Sequence, residues 1–161
     1  MPPEFYCGEQ SIAMRQLTAK LVDYDSQEFQ QARELRYKLF FAQHDLPKSI
    51  VTDLKQSDYF HAAIEIDNKV VAYGQLVPYE DKIYQICQMV VMPEYQRQNL
   101  GKKILLFLID IAKQEQAIAL TLNARLTAVD FYQKLGFQTH GTSFPSSTTG
   151  IPHITMNLKL L

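Results

Sequence analysis

The residues best suited by type and spacing to do chemistry lie between Pro93 and Ile104, in PEYQRQNLGKKI. They follow the wholly apolar MVVM, which reads as the end of a buried strand. They precede ILLFLIDIA, whose apolar spacing reads as a helix packed on that strand. A polar turn at such a junction feeds the helix end that carries unpaired N–H groups and the positive end of the dipole, a ready place for an anion. Gly101 lets a ligand approach the backbone closely, Asn99 tolerates positive φ, and Arg97, Lys102 and Lys103 add positive charge. Phosphate is the natural guest. An ordinary polar helix cap accounts for the same residues equally well, because one Gly and one Asn do not make a nest. Neither G-x-x-x-x-G-K-[ST] nor G-x-G-x-x-G occurs, so the turn is neither a Walker loop nor a dinucleotide fingerprint.

The elements that must position this turn alternate along the chain without repeats or a low-complexity linker. Arg15 to Tyr24 alternates Leu17, Ala19 and Leu21 with polar neighbours and reads as a half-buried strand. Ser26 then caps an amphipathic helix bearing Phe29, Ala32, Leu35, Leu39 and Phe40. After the loop HDLPKSIVTDLKQSD, the runs YFHAAIEI and KVVAYGQLV flank Asp67-Asn68, a pair suited to positive φ, and predict a hairpin. IYQICQMVVM adds a third antiparallel strand beyond the turn YEDK. The polar turn and its helix, to about Gln116, lead to AIALTLNA, a strand expected to lie parallel to the one before the helix, at least at one end. LTAVDFYQKL reads as a short helix stopped by Gly136, and FQTHGTSF and PHITMNLKL as strands joined by a flexible PSSTTGI.

Composition narrows the function classes. With 161 residues, 47% of them hydrophobic, the chain suffices for one globular domain that buries roughly two-thirds of its unfolded surface. We read residues 1–161 as that single domain, with 1–14 as an N-terminal extension. Sixteen basic against 17 acidic residues give a net charge of -1, which leaves no footprint for nucleic acid, and no polybasic or amphipathic stretch points to a membrane surface. MPPEFYCGEQ lacks the features of a signal peptide and no long apolar run is present, so a soluble cytoplasmic protein is expected. Cys7 and Cys87 stand far apart with no C-x-x-C or His-rich neighbour, so neither a disulfide framework nor a metal site is expected.

Two segments carry a family likeness. VVMPEYQRQNLGKKIL resembles motif A of the GNAT N-acetyltransferases, in which a strand ending in V-x-P is followed by [RQ]-x-x-G-x-[GA] opening a helix. Here that motif falls on Gln96 to Gly101, with Asn99 in place of the first glycine. ARLTAVDFYQKLGF resembles the family's A-x-x-F-Y-x-K-x-G-F segment, through Ala128, Phe131, Tyr132, Lys134, Gly136 and Phe137. RELRYKLFFAQHDLP, DYFHAAI and GIPHITMNL are reminiscent of the ElaA-like branch.

The resemblance implies an α/β fold: a mixed, mostly antiparallel sheet splayed between its fourth and fifth strands, flanked by helices, with acetyl-coenzyme A in the wedge. By motif, the backbone N–H groups of Gln96, Arg97, Gln98, Asn99, Leu100, Gly101 and Lys102 would hold the pyrophosphate, and Met89, Val90 and Val91 would offer backbone groups to the pantetheine arm. Tyr132 would protonate the leaving thiolate. Ile104, Leu105, Leu108 and Ala112 belong to the core. The base that deprotonates the amine stays open: many relatives place a carboxylate on the fourth strand, where this chain has Gln85 and Gln88, which leaves Glu65, His61, His153 or a water relay. Seven residues before Tyr132 many relatives carry an Asn that contacts the coenzyme, whereas this chain has Arg125, with Asn123 two residues earlier. The implied function is acetyl transfer from acetyl-coenzyme A to a primary amine, of a metabolite or a peptide, by direct attack in a ternary complex. A non-catalytic acyl-coenzyme A sensor on the same fold is the alternative. The C-terminal strands of this fold often present an edge, so a homodimer is also open.

Overall fold

The computed structural model describes residues 17–51 and 57–161. Its frame is one seven-stranded sheet in the order β1-β2-β3-β4-β5-β7-β6. The strands are β1 (Lys20–Leu21), β2 (Phe60–Ile66), β3 (Lys69–Glu80), β4 (Ile83–Val91), β5 (Ala119–Arg125), β6 (Gln138–Pro145) and β7 (Pro152–Lys159). Among the described residues three α-helices flank them, α1 (Gln27–Arg36), α2 (Leu100–Gln114) and α3 (Val129–Gln133).

Local chemistry explains most boundaries. The Ser26 hydroxyl accepts the Phe29 N–H at 3.1 Å and starts α1, as its position before the apolar periodicity predicts. Asp67 and Asn68 both take positive φ, 50° and 63°, and close the β2–β3 hairpin. Gly136, at φ 97°, stops the chain after α3 and turns Phe137 into the core.

Both faces of the sheet are covered. Leu100, Ile104, Leu105, Leu108 and Ala112 of α2 pack on one face with Ile64, Leu76, Leu120, Leu122 and Met156, and the four apolar positions expected in the core are fully buried there. On the other face Phe29, Ala32 and Leu35 of α1 pack with Ala63, Val70, Tyr73 and Val90. A polar group is buried on this second face: the His61 Nδ1 and the Tyr73 hydroxyl lie 2.6 Å apart, and burial pushes the Tyr73 phenol above its usual range.

The structure corrects three expectations. The first strand shrinks to Lys20–Leu21, paired with Ala62 and Ala63, and Leu21 is 51% exposed rather than inward; Arg15 lies outside the described residues. Successive side chains there serve opposite faces: Leu17 and Ala19 meet the α2 side, Val22 and Tyr24 the α1 side. Helix α1 does not continue regularly to Phe40; its last stretch, Tyr37–Phe41, is a π turn followed by a 3-10 turn over Ala42–His44. The β6–β7 loop is tied rather than loose, since the Ser146 hydroxyl accepts the N–H groups of Thr148 and Thr149, both at 3.3 Å, and the Ser146 N–H donates to the Ile151 carbonyl at 2.9 Å.

The feature that positions the site is a bulge in β4. Gly74 alone separates Tyr73 from Gln75 on β3, while Gln88 and Met89 separate Cys87 from Val90 on β4. Gln88 adopts φ 57°, and its side-chain oxygen accepts the Nε–H of the buried Arg36 at 3.3 Å. A bulge bends its strand, and β4 leaves β5 there. Gly74 makes room for it: a Cβ at this position would lie 2.6 Å from the Met89 Sδ and 2.7 Å from the Ile104 Cγ2. Since Ile104 is β-branched and fully buried, Gly74→Ala lowers stability by about 1–3 kcal/mol, read as a lower urea midpoint at unchanged m-value.

Candidate active site

Strands β4 and β5 run parallel, the sole parallel pair among the described residues, and are in register only over Ile83–Ile86 against Ala119–Leu122. Beyond Ile86 they diverge toward their carboxyl ends. Open α/β sheets bind ligands in such a crevice outside the carboxyl ends of strands.

The turn follows the carboxyl end of β4, where that strand has parted from β5. Arg97 and Asn99 adopt left-handed backbone, φ 64° and 62°, and Asn99 caps α2. No backbone acceptor among the described residues takes the N–H groups of Arg97, Gln98, Asn99, Leu100, Gly101 or Lys102. Two left-handed residues and six available donors stand at the start of a 15-residue helix, an arrangement suited to an anion. Gln96 departs from expectation: its N–H donates to Pro93 at 3.3 Å and its side-chain amide to the Val91 carbonyl at 3.1 Å, so it braces the turn. Lys103 also points elsewhere, its ammonium donating to the Leu17 carbonyl at 2.8 Å. Gly101 sits where a Cβ would be 3.6 Å from the Phe131 ring and 3.7 Å from the Val91 side chain, contact that the protein itself tolerates.

The β4 backbone divides its polar groups between two sides. The Met92 N–H bonds the Val71 carbonyl at 2.8 Å, and in an antiparallel ladder alternate residues face alternate neighbours. Val90 therefore turns its N–H and C=O to β3, while Val91 turns both toward the wedge, where Gln96 holds the carbonyl and the N–H stays open. Met89 is the second residue of the bulge.

Where the strands part, a cavity of about 420 Å³ opens between β4, β5, the end of α1 and the β6–β7 loop. Tyr132 lines it from α3, buried to 8% exposure, with its ring edge-on to Phe137 and no hydrogen bond to its hydroxyl among the described residues. Burial, and then the neighbouring Cys87, push the phenol up to about 12. It is protonated throughout the neutral range. Cys87 shares the cavity, a placement its isolated position in the sequence gave no signal for; burial pushes this thiol up to about 11, against the opposing Arg36 charge. Only about one thiolate in ten thousand then exists at pH 7, too few for a covalent acyl carrier.

The three side chains considered as bases separate cleanly. His61 is 2% exposed beside Tyr73 in the α1 core and does not line the cavity. Glu65 accepts from the Lys20 ammonium at 2.8 Å on the outer strands, again away from the cavity. His153 does line it. Its Nδ1 lies 2.7 Å from the Ile151 carbonyl, which can only accept, so Nδ1 carries the hydrogen and the neutral ring keeps its lone pair on Nε2.

A sheet opened at its parallel pair, with a long helix starting just after the fourth strand and a buried phenol lining the cavity, has the architecture of the acyl-coenzyme A N-acyltransferase fold. The family model of the acetyltransferase (GNAT) domain matches residues 20–160. The chain belongs to the GNAT family and is an N-acetyltransferase. It is 30% identical over 96 residues to a UPF0039 protein of Schizosaccharomyces pombe, a match that takes in 58% of this chain and 63% of that protein's length. In fold it is similar to Escherichia coli ElaA, with a TM-score of 0.76 at 16% identity over 89% of this chain and 99% of that one. It is also similar to an aminoglycoside 6'-N-acetyltransferase complexed with coenzyme A, with a TM-score of 0.75 at 14% identity over 89% and 97% of the two chains.

Proposed function

We propose that the chain transfers an acetyl group from acetyl-coenzyme A to a primary amine by direct attack in a ternary complex. The observation that carries this reading is that the turn, the strand end and the phenol adjoin: Gly101 lies against Val91 and the Phe131 ring, and that ring packs edge-on at 4.9 Å with Tyr132, which lines the cavity. These groups fit the pyrophosphate, the arm and the sulfur of a coenzyme A thioester, and the coenzyme A complex of the similar aminoglycoside acetyltransferase supports the assignment.

The thioester supplies an activated acetyl group; the residues supply its surroundings. The helix start and the six N–H groups hold the pyrophosphate. His153 Nε2 takes the proton that the amine loses as its nitrogen bonds to the carbonyl carbon. Tyr132 donates its proton to the sulfur as the carbon–sulfur bond breaks. Return of a proton from the His153 imidazolium to the Tyr132 phenolate, by way of solvent, resets the pair, so the net movement is one proton from nitrogen to sulfur with no covalent enzyme intermediate, in keeping with the protonated state of Cys87.

Thermal melts with and without saturating acetyl-coenzyme A test the binding half. At a hundred times its dissociation constant the ligand adds about 2.7 kcal/mol, a rise of a few degrees. Gly101→Pro removes one of the six donors at a position in the first helical turn, where proline is tolerated, and there the rise disappears while the variant stays folded. A shift in both proteins would move the coenzyme away from the turn; a shift in neither would end the reading. Release of free thiol only when an amine is present tests the transfer half, and a shift without release would leave a sensor.

A further inference from the structure

The acceptor side of the cavity carries a charge pattern that points to one kind of amine. Register brings three side chains into one row on one face of the sheet: Arg125 of β5 is the cross-strand partner of His153 of β7, which is in turn the partner of Phe144 of β6. Residues directly opposite in antiparallel strands share a face, and all three line the cavity. The Phe144 and His153 rings are near-parallel at 25° with centroids 6.3 Å apart. At the other end of the row the Arg125 guanidinium lies over the Phe40 ring, 5.4 Å from its centroid, which holds the half-buried cation against the end of α1.

Among the described residues no Asp or Glu lines this cavity, and none pairs with Arg125. A guanidinium fixed on an aromatic face, inside a cavity and with no carboxylate partner among the described residues, has its hydrogen-bonding fork available for an anion. No described lysine lines the cavity, and a single planar fork matches a carboxylate better than a phosphate dianion, which calls for more donors. The cavity is correspondingly unfavourable to a polyamine or an aminoglycoside, whose several positive charges need acidic walls.

We propose that Arg125 is a specificity-determining residue that binds the carboxylate of the acceptor, so that the substrate is a compact amino acid with an apolar or aromatic body. Compactness follows from the register. Cross-strand partners lie roughly 5 Å apart at their Cα atoms, so the groups that hold the carboxylate and deprotonate the amine are neighbours, and the two functions of the acceptor are separated by a few bonds. The Phe40 and Phe144 rings bound the space left for its side chain. The proposal rests on the acetyl-transfer reading above.

The test compares matched pairs differing only in the carboxylate: phenylalanine with phenethylamine, tyrosine with tyramine, leucine with isoamylamine, and spermidine as a polycation. Thiol release from acetyl-coenzyme A is followed with the wild type, Arg125→Gln and Arg125→Glu, and each protein is also melted with acetyl-coenzyme A. In the wild type the carboxylated member of each pair is preferred. Arg125→Gln raises its KM roughly 10- to 100-fold, as expected for losing a charge-assisted hydrogen bond, and leaves the decarboxylated partner nearly unchanged. Arg125→Glu inverts the preference, while the coenzyme-induced melting shift persists in both variants. Equal or better use of the decarboxylated amines or spermidine by the wild type overturns the proposal, as does a variant that slows both members of a pair alike or loses the coenzyme shift. No turnover on any amine, with the coenzyme shift intact, would instead sink the transfer reading on which this one rests.

Discussion

Tyr132→Phe is expected to lower kcat by about 10²- to 10⁴-fold while leaving the acetyl-coenzyme A melting shift and the fold in place. The substitution keeps the ring that packs edge-on to Phe137 and removes only a hydroxyl that bonds no other described residue, so little stability is at stake. The phenol raised to about 12 has a signature in the pH profile. The acid form is the active form and is the one burial favours, so activity attributable to Tyr132 does not decline between pH 7 and 10. A fall beginning below pH 10 that vanishes in Tyr132→Phe would mean the phenol ionises far more readily than its surroundings allow. An equal loss of coenzyme affinity and turnover would make Tyr132 a binding or packing residue instead.

How much of this was written legibly in the chain depends on whether the determinant was local. The Asp67-Asn68 turn, the Ser26 cap, the Gly136 stop and the α2 core stripe depend on a few consecutive residues, and each has the geometry its residue types demand. The parallel relation of β4 and β5 follows from a strand, a helix and a strand in succession. The bulge was not legible. Glutamine is a poor indicator of positive φ, and what holds Gln88 there is Arg36, 52 positions away, together with the space left by Gly74. The insertion of β7 between β5 and β6 was equally hidden, although both C-terminal strands were readable as strands.

The candidate site divides in the same way. The turn from Gln96 to Lys102 and the strand end from Met89 to Val91 stood out as a motif, yet their residues are not equivalent: Gln96 and Val90 commit their backbone to neighbours, and this depends on hydrogen bonds rather than residue type. The residues that could serve as the base could not be ranked from sequence because His61, Glu65 and His153 are chemically plausible alike. Pairing ranks them, by putting His61 under α1, Glu65 beside Lys20, and His153 in the row with Arg125.

His153→Gln carries the second large effect, a drop of about 10²- to 10⁴-fold in kcat/KM for the amine at neutral pH. Glutamine keeps a side-chain N–H that can reach the Ile151 carbonyl, so the loop geometry set by the 2.7 Å contact has a substitute donor, whereas the basic lone pair has none. The loss falls on kcat, with the KM of the amine nearly unchanged, because the lone pair acts in the chemical step and not in holding the acceptor. A loss carried by KM instead would show that position 153 matters for packing against Phe144 or for placing the acceptor, and that the amine gives its proton to water.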